Sequence, residues 1–143
     1  MSNAEPMDRR EVVAFLGEEG TGVLALARDD ESYAIPVSYG YDGDEETFYL
    51  RLAFHPDSQK REFLGPSRTV SLVVSAETNE GWRSIVARGR LRETGEAALD
   101  SSLVEAIRRI DIPFFTVFDR PARELDFELF QLVPDELTGQ KQV

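Results

Sequence analysis

The sequence predicts a mainly β protein of the α+β class, a small antiparallel β-barrel with peripheral helices. Three observations predict it. Apolar, often β-branched runs of strand length recur about six times along the chain. Two of these runs flank Asp42-Gly43-Asp44, an acidic glycine-containing segment suited to a hairpin and hence to antiparallel pairing. Helical patterns are confined to the N-terminus and to the stretches after the third and fifth strands. A barrel is preferred to a two-layer α+β sheet, which fits the same element order, because closure removes unprotected sheet edges.

Each element has a local reason. Asp8 and Glu11 make an Asp-x-x-Glu capping box, and Val12, Val13, Phe15 and Leu16 give the short helix behind it an apolar face. That helix ends near Gly17 or Gly20. Gly22–Arg28 reads as a buried strand and Asp29-Asp30-Glu31 as an acidic turn. Tyr33–Tyr41 is the next strand; Pro36 within it implies an edge, a bulge or a place where the amide is not needed for pairing. Thr47–Ala53 is the third strand.

Pro56 suits the first turn of a second helix, with Phe63 and Leu64 as its apolar contact and Gly65-Pro66 as its stop. Thr69–Ser75 and Trp82–Arg92 are strands, the latter with a bulge or bend expected at Gly89. Gly95–Ile110 reads as a helix striped by Leu99, Leu103, Val104, Ile107 and Ile110. Ile112–Arg123 is an aromatic connector with Phe114, Phe115 and Phe118, read as core packing, a pocket wall or a dimer contact. Leu125–Val133 is the last strand and a polar tail is expected from Pro134. No repeat or low-complexity segment appears.

At 143 residues the chain is expected to form one domain across 1–143, with residues 1–7 disordered. Ser2-Asn3-Ala4 is native sequence or an expression scar, with Met7 as the alternative start. The absence of cysteine excludes disulfides, thiol catalysis and thiolate metal sites, and a single histidine, His55, cannot build a multi-histidine metal site. No apolar run approaches the ~20 residues of a membrane span and the N-terminus has no apolar signal region, so a cytoplasmic location is expected. The net charge of −11 disfavours nucleic acid and anionic lipid as partners. Fourteen of the 16 basic residues are Arg, and Lys60 and Lys141 are the only lysines. An acid-rich, lysine-poor chain reads as halophilic adaptation, with GC-rich coding as the other source of the bias.

The most informative stretch for chemistry is Tyr33–Lys60: strand, hairpin, strand, then a helix start. A phosphate wants a cation, a hydroxyl and free backbone N–H groups, and a helix N-terminus supplies the last. Ser58, Gln59 and Lys60 fall in the first turn after Pro56, and Arg51 sits near the end of the preceding strand. The bland reading is an ordinary capped helix with a solvated Lys60. His55 before Pro56 is read as a cap or surface residue in preference to a general base or a haem ligand, and it has no evident Ser partner for a triad. The run Asp42–Glu46 is read as an exposed hairpin tip.

Five pieces in order resemble one family: Tyr33–Tyr41, Phe48–Ala53, Ser58 with Lys60, Gly81–Gly89 (GWRSIVARG) and Leu137–Lys141 (LTGQK). Together they are similar to the FMN-binding split barrels of the pyridoxamine 5'-phosphate oxidase-like family, and within it to the nitroimidazole-reductase-like branch. The resemblance implies a six-stranded antiparallel split barrel and a homodimer with FMN at the subunit interface. It implies that Arg51, Ser58, Gln59 and Lys60 hold the FMN phosphate. Ile35, Pro36, Val37, Ser38, Tyr49, Leu50, Arg51 and Leu52 would line the isoalloxazine, largely through main-chain groups. Trp82, Arg83 and Ser84 would lie near the flavin or cover the ribityl chain; for Trp82 core packing is the other reading.

Ala34–Ser38 stands where the family's oxidase carries an Arg-x-x-x-Leu-Lys strand, and its C-terminal Trp and Arg motif is absent, so pyridoxamine phosphate oxidation is not expected. The function this implies is FMN-dependent oxidoreduction of a small-molecule substrate. The alternatives are a deazaflavin- or haem-binding split barrel and a non-catalytic flavin-binding or sensing dimer.

Overall fold

The computed structural model describes residues 4–54, 69–93 and 126–142. In chain order the elements are β1 (Ala4–Pro6), α1 (Arg9–Glu18), β2 (Thr21–Arg28), β3 (Glu31–Asp42), β4 (Thr47–Phe54), β5 (Thr69–Thr78), β6 (Gly81–Glu93) and β7 (Asp126–Gln142). The sheet runs β1-β7-β4-β3-β2-β5-β6, and β6 also pairs with β7. Strands β2 to β7 therefore close into the antiparallel six-stranded barrel expected from the sequence, and β1 is added at the edge of β7.

Alternation along the strands decides what fills the barrel. Leu24 and Leu26, Ile35, Val37 and Tyr39, Phe48, Leu50 and Leu52, Val70, Leu72 and Val74, Ile85, Ala87 and Leu91, and Phe130 and Leu132 are all buried in one cluster. Helix α1 stops one end of it with Val12, Phe15 and Leu16. The capping box forms as expected: Glu11 N donates to Asp8 Oδ1 at 2.8 Å and Asp8 N to Glu11 Oε1 at 3.2 Å. The C-terminal end of α1 is fixed by Tyr39, whose hydroxyl donates to Leu16 O at 2.9 Å and whose amide donates to Gly20 O at 3.0 Å.

The turns bear out the acidic hairpin chemistry. Asp42 Oδ1 accepts from the amides of Asp44 and Glu45 at 3.0 and 3.3 Å, closing the β3–β4 connection. Of the edge, the bulge and the unneeded amide left open for Pro36, the structure shows a local edge and no bulge. β3 and β4 pair only from Asp42↔Thr47 to Ser38↔Arg51, while β2 keeps its partnership with β3 as far as Arg28↔Glu31. Beyond Ser38 the β3–β4 seam opens, so the missing N–H of Pro36 breaks no ladder there.

Both chain ends depart from expectation. Residues 134–142 are not a tail but the continuation of β7, paired with β6 through Arg83↔Lys141 and with β1 through Ala4↔Gln142. Strand pairing is made by backbone groups, so a polar sequence joins it freely while Leu137 packs against the core. Pro134 is accommodated at a bulge: Arg88 faces Glu136 and Gly89 faces Pro134, which leaves Asp135 as the extra residue. Gly89 permits that approach, since a Cβ there would stand 2.7 Å from Val133 O. At the other terminus, β1 pairs with β7, Met7 N donates to Gly139 O at 2.9 Å, and the Met7 side chain is buried.

The predicted helix from Pro56, the helix Gly95–Ile110 and the aromatic connector Ile112–Arg123 lie outside the described residues. No helix among the described residues is long and apolar enough to cross a membrane.

Candidate functional site

The predicted site residues fall into two groups. The first is on β3 and β4. Ile35, Val37, Leu50 and Leu52 turn their side chains into the core, so only their main chain is available to a ligand. Pro36 is exposed on the outer face, and Ser38 and Arg51 face each other across the last β3–β4 pair. Arg51 is exposed, whereas Ser38 is 2% exposed and its Oγ has no hydrogen-bond partner among the described residues. Tyr49 is the other outward residue here, and burial, followed by the charges of Asp42 and Glu45, raises the pKa of its phenol. Ser58, Gln59 and Lys60, the rest of the predicted phosphate set, lie outside the described residues.

The second group is on β6, at the far end of β7. The β5–β6 turn is closed by Thr78 Oγ1, which donates to Gly81 O at 2.7 Å, and Gly81 has φ 108°, a conformation that favours glycine. Trp82 and Ser84 follow on the outer face; Trp82 is 53% exposed and its amide donates to Gln142 Oε1 at 3.2 Å. A cavity of about 320 Å³ is lined by Ala4, Trp82, Arg83, Ser84, Gln140, Lys141 and Gln142.

Arg83 and Lys141 engage a carboxylate of α1. Lys141 Nζ donates to Glu11 Oε2 at 2.7 Å, and Arg83 lies 3.7 Å from the same oxygen while donating to Glu80 at 2.5 Å. The Lys141 hydrogen bond, then that from the Asp8 amide, holds the Glu11 carboxyl below its ordinary range; the same pair raises the Lys141 ammonium. Arg83 Nε is buried with no partner among the described residues.

The two groups are not brought together within one chain. β3 and β6 are three strands apart in either direction round the closed barrel, so their outward faces point away from each other. Arg51 pairs with Leu129 and Arg83 with Lys141, at opposite ends of β7. Between the two groups runs a row of outward neighbours, Pro36–Val23–Val73–Val86–Thr138, without a charge. Val23 and Val86 in it are 44% and 41% exposed.

Gln140, Gln142 and Glu11 were not among the predicted site residues. The Leu137–Lys141 motif pointed to the right segment, but a contact between Glu11 and Lys141 across 130 positions of sequence has no local signal. Among the described residues no cluster of His, Asp or Glu could hold a metal ion. The Ser38 hydroxyl, buried and without a partner among the described residues, fits a polar-edged organic ligand such as a flavin.

A family model described as pyridoxamine 5'-phosphate oxidase matches residues 8–141. An uncharacterized protein of Rhizobium meliloti (strain 1021) is 28% identical over 88 residues, 61% of this chain; the match spans 55% of that relative, about half its length. The FAD binding protein from Mycobacterium smegmatis is similar in structure, with TM-score 0.68, 14% identity and coverage of 96% of this chain and 98% of that one. The FAD and heme binding protein from the same organism gives TM-score 0.64 at 17% identity, covering 97% of this chain and 72% of that one. These likenesses show the split β-barrel fold.

Proposed function

The chain belongs to the pyridoxamine 5'-phosphate oxidase family, and from that premise we propose that it is a flavin-binding split-barrel protein that uses FMN in the oxidoreduction of a small-molecule substrate. The observation that carries the reading is Ser38, whose buried hydroxyl, on the outer face beside Arg51, lacks a partner among the described residues. Solved proteins of the same fold bind FAD, or FAD and haem, which supports a flavin here.

In this reading the main chain of Ile35, Pro36, Val37, Tyr49, Leu50 and Leu52, with the Ser38 hydroxyl, lines the ring, and Arg51, Ser58, Gln59 and Lys60 take the phosphate. Hydride or electron-pair transfer is the chemistry the flavin supplies when bound; the protein orients it and tunes it by hydrogen bonds.

A homodimer is part of the same proposal. Trp82 and Ser84 face away from Arg51 in one chain, so a second copy would supply them to the flavin. The uncharged row Pro36–Val23–Val73–Val86–Thr138 supports an isologous contact, since a two-fold axis across β2 and β5 would set the β6 side of one copy against the β3 side of the other. A cytoplasmic location and high-salt adaptation belong to the proposal as well, the latter on the charge of −11.

Purification in high salt followed by an absorption spectrum tests the cofactor. A yellow protein that releases FMN is expected. A red, Soret-absorbing protein would replace flavin by haem, the second reading, which the FAD and heme binding relative favours. A colourless protein that ignores added FMN would overturn the proposal.

A further inference from the structure

We infer that the outer face of β5 and β6 carries an anion site separate from the flavin residues, where Arg88, Arg90 and Arg92, flanked by Ser71 and Thr69, take a short chain of linked phosphates. The inference goes beyond the flavin reading and does not depend on it. The stripe begins at the third outward position after Trp82, and Arg51 stands on β4, two strands from β6.

Strand alternation makes the stripe. Ile85, Ala87 and Leu91 of β6 are buried in the barrel, so Arg88, Arg90 and Arg92 stand outward, and all three are exposed. Alternate residues of a strand lie about 6.7 Å apart, so the row runs roughly 13 Å. Like charges at that spacing repel. Elsewhere Arg9, Arg28, Arg83 and Lys141 each meet a carboxylate. Arg88, Arg90 and Arg92 make no ion pair or side-chain hydrogen bond among the described residues. In a chain of 27 acidic and 16 basic residues, that is a local excess of positive charge which a bound anion would relieve.

The neighbours select the anion. Ser71 faces Arg88 and Thr69 faces Arg90 on β5, and Ala25 of β2 flanks Ser71. A guanidinium fork takes two oxygens of an anion, and the hydroxyl beside it suits a third, which a phosphate has and a carboxylate lacks. On the β7 side Arg90 faces Val133 and Arg92 faces Gln131, while Arg88 faces Glu136. The carboxylate borders only the Arg88 end, so the anion is centred on Arg90. One phosphate reaches one fork; linked phosphates reach the neighbouring forks as well.

The charge of the whole chain limits the ligand's size. At physiological ionic strength charges are screened over about 8 Å. A small anion on the stripe therefore feels mainly these arginines. A nucleic acid or an acidic protein would also meet the acidic excess around it, −11 over the chain.

Titration calorimetry of the full chain at ~0.1 M sodium chloride tests this, with and without FMN, using tripolyphosphate, ATP, orthophosphate and a hexaglutamate peptide as probes. Tripolyphosphate is expected to bind saturably, with the same affinity whether or not FMN is present, and more tightly than orthophosphate or hexaglutamate. Arg90→Gln is expected to weaken it about five-fold, as suits an exposed charge pair, and Arg88→Gln together with Arg90→Gln further still. Circular dichroism melts check that the variants are folded. ATP bound more tightly than tripolyphosphate would identify a nucleotide as the source of the phosphates, and ATP bound no more tightly a free phosphate chain; either outcome upholds the site.

No saturable binding of tripolyphosphate, or binding unchanged in the folded double variant, would overturn the inference. Tripolyphosphate that displaces FMN would put the anion at the flavin phosphate and overturn it too, leaving the flavin reading standing. Tighter binding of hexaglutamate would overturn it in favour of an acidic peptide.

Discussion

Ser38 and Arg51 are cross-strand partners at the last rung joining β3 to β4, and the Ser38 hydroxyl beside that arginine is buried without a partner among the described residues. A buried unpaired hydroxyl costs stability unless a ligand meets it. Ser38→Ala is therefore expected to leave the ligand-free protein as stable or more stable by about 1 kcal/mol, while flavin affinity falls several-fold. Thermal melts with and without flavin read both effects. A variant less stable without ligand and unchanged in affinity would show that the hydroxyl serves the fold.

Glu11 ties α1 to both Arg83 and Lys141, and its pKa is lowered chiefly by the Lys141 hydrogen bond. A carboxyl depressed on folding contributes stability above its unfolded pKa, ordinarily 4.5, and loses it as pH falls through the lower folded value. Lys141, raised by the same bond, contributes below its ordinary 10.5 and loses that contribution as pH rises through its folded value. The pair thus acts between the two limits. Glu11→Gln is expected to lower the melting temperature at neutral pH and to narrow its gap to the parent below pH ~4. A gap that is constant with pH would mean the carboxylate charge is not what matters.

Gly89 faces the bulge at Pro134, and a Cβ there would meet backbone atoms at 2.7 and 3.0 Å. Backbone cannot rotate aside as a side chain can. Gly89→Ala is expected to cost about 1–3 kcal/mol in urea unfolding, the usual range for overpacking. A neutral result would show that the β6–β7 ladder slides at little cost.

Tyr39 joins the barrel wall to the end of α1 through its bond to Leu16 O. Tyr39→Phe keeps the ring and strands that carbonyl, for an expected loss of about 1–3 kcal/mol. Burial raises the pKa of this phenol, so the tie is expected to persist through alkaline pH until other groups fail. Circular dichroism melts of parent and variant at neutral and high pH compare the two.

The charge of −11 on 143 residues implies self-repulsion that salt relieves. The melting temperature is expected to rise between ~0.1 M and ~1 M sodium chloride, where the screening length shrinks from about 10 to 3 Å. A flat or falling profile would count against high-salt adaptation.

Much of the fold was legible because it is local. The Asp8–Glu11 box, the Asp42 turn, the edge at Pro36 and the bulge near Gly89 each depend on a few neighbouring residues, and each formed as read. The end of the chain was misread for the opposite reason. Residues 134–142 carry few apolar side chains, and hydropathy stopped the strand at Val133, yet two neighbours supply pairing for their backbone. Of the site, the Trp82–Ser84 segment and the Leu137–Lys141 motif were visible, while Gln140 and Gln142 as cavity walls and Glu11 as their neighbour were not.

The sequence by itself determined a β-rich chain of antiparallel hairpins, a capped N-terminal helix, and the two segments from which a ligand site could be made. Alternation and turn chemistry are enough for that, because both act within a few residues. Tertiary structure alone decided where those segments go. Closure of β6 onto β7 turned Arg51 and Trp82 to opposite sides of the barrel and drew Lys141 to Glu11, contacts fixed by strand order and register that no stretch of sequence encodes locally.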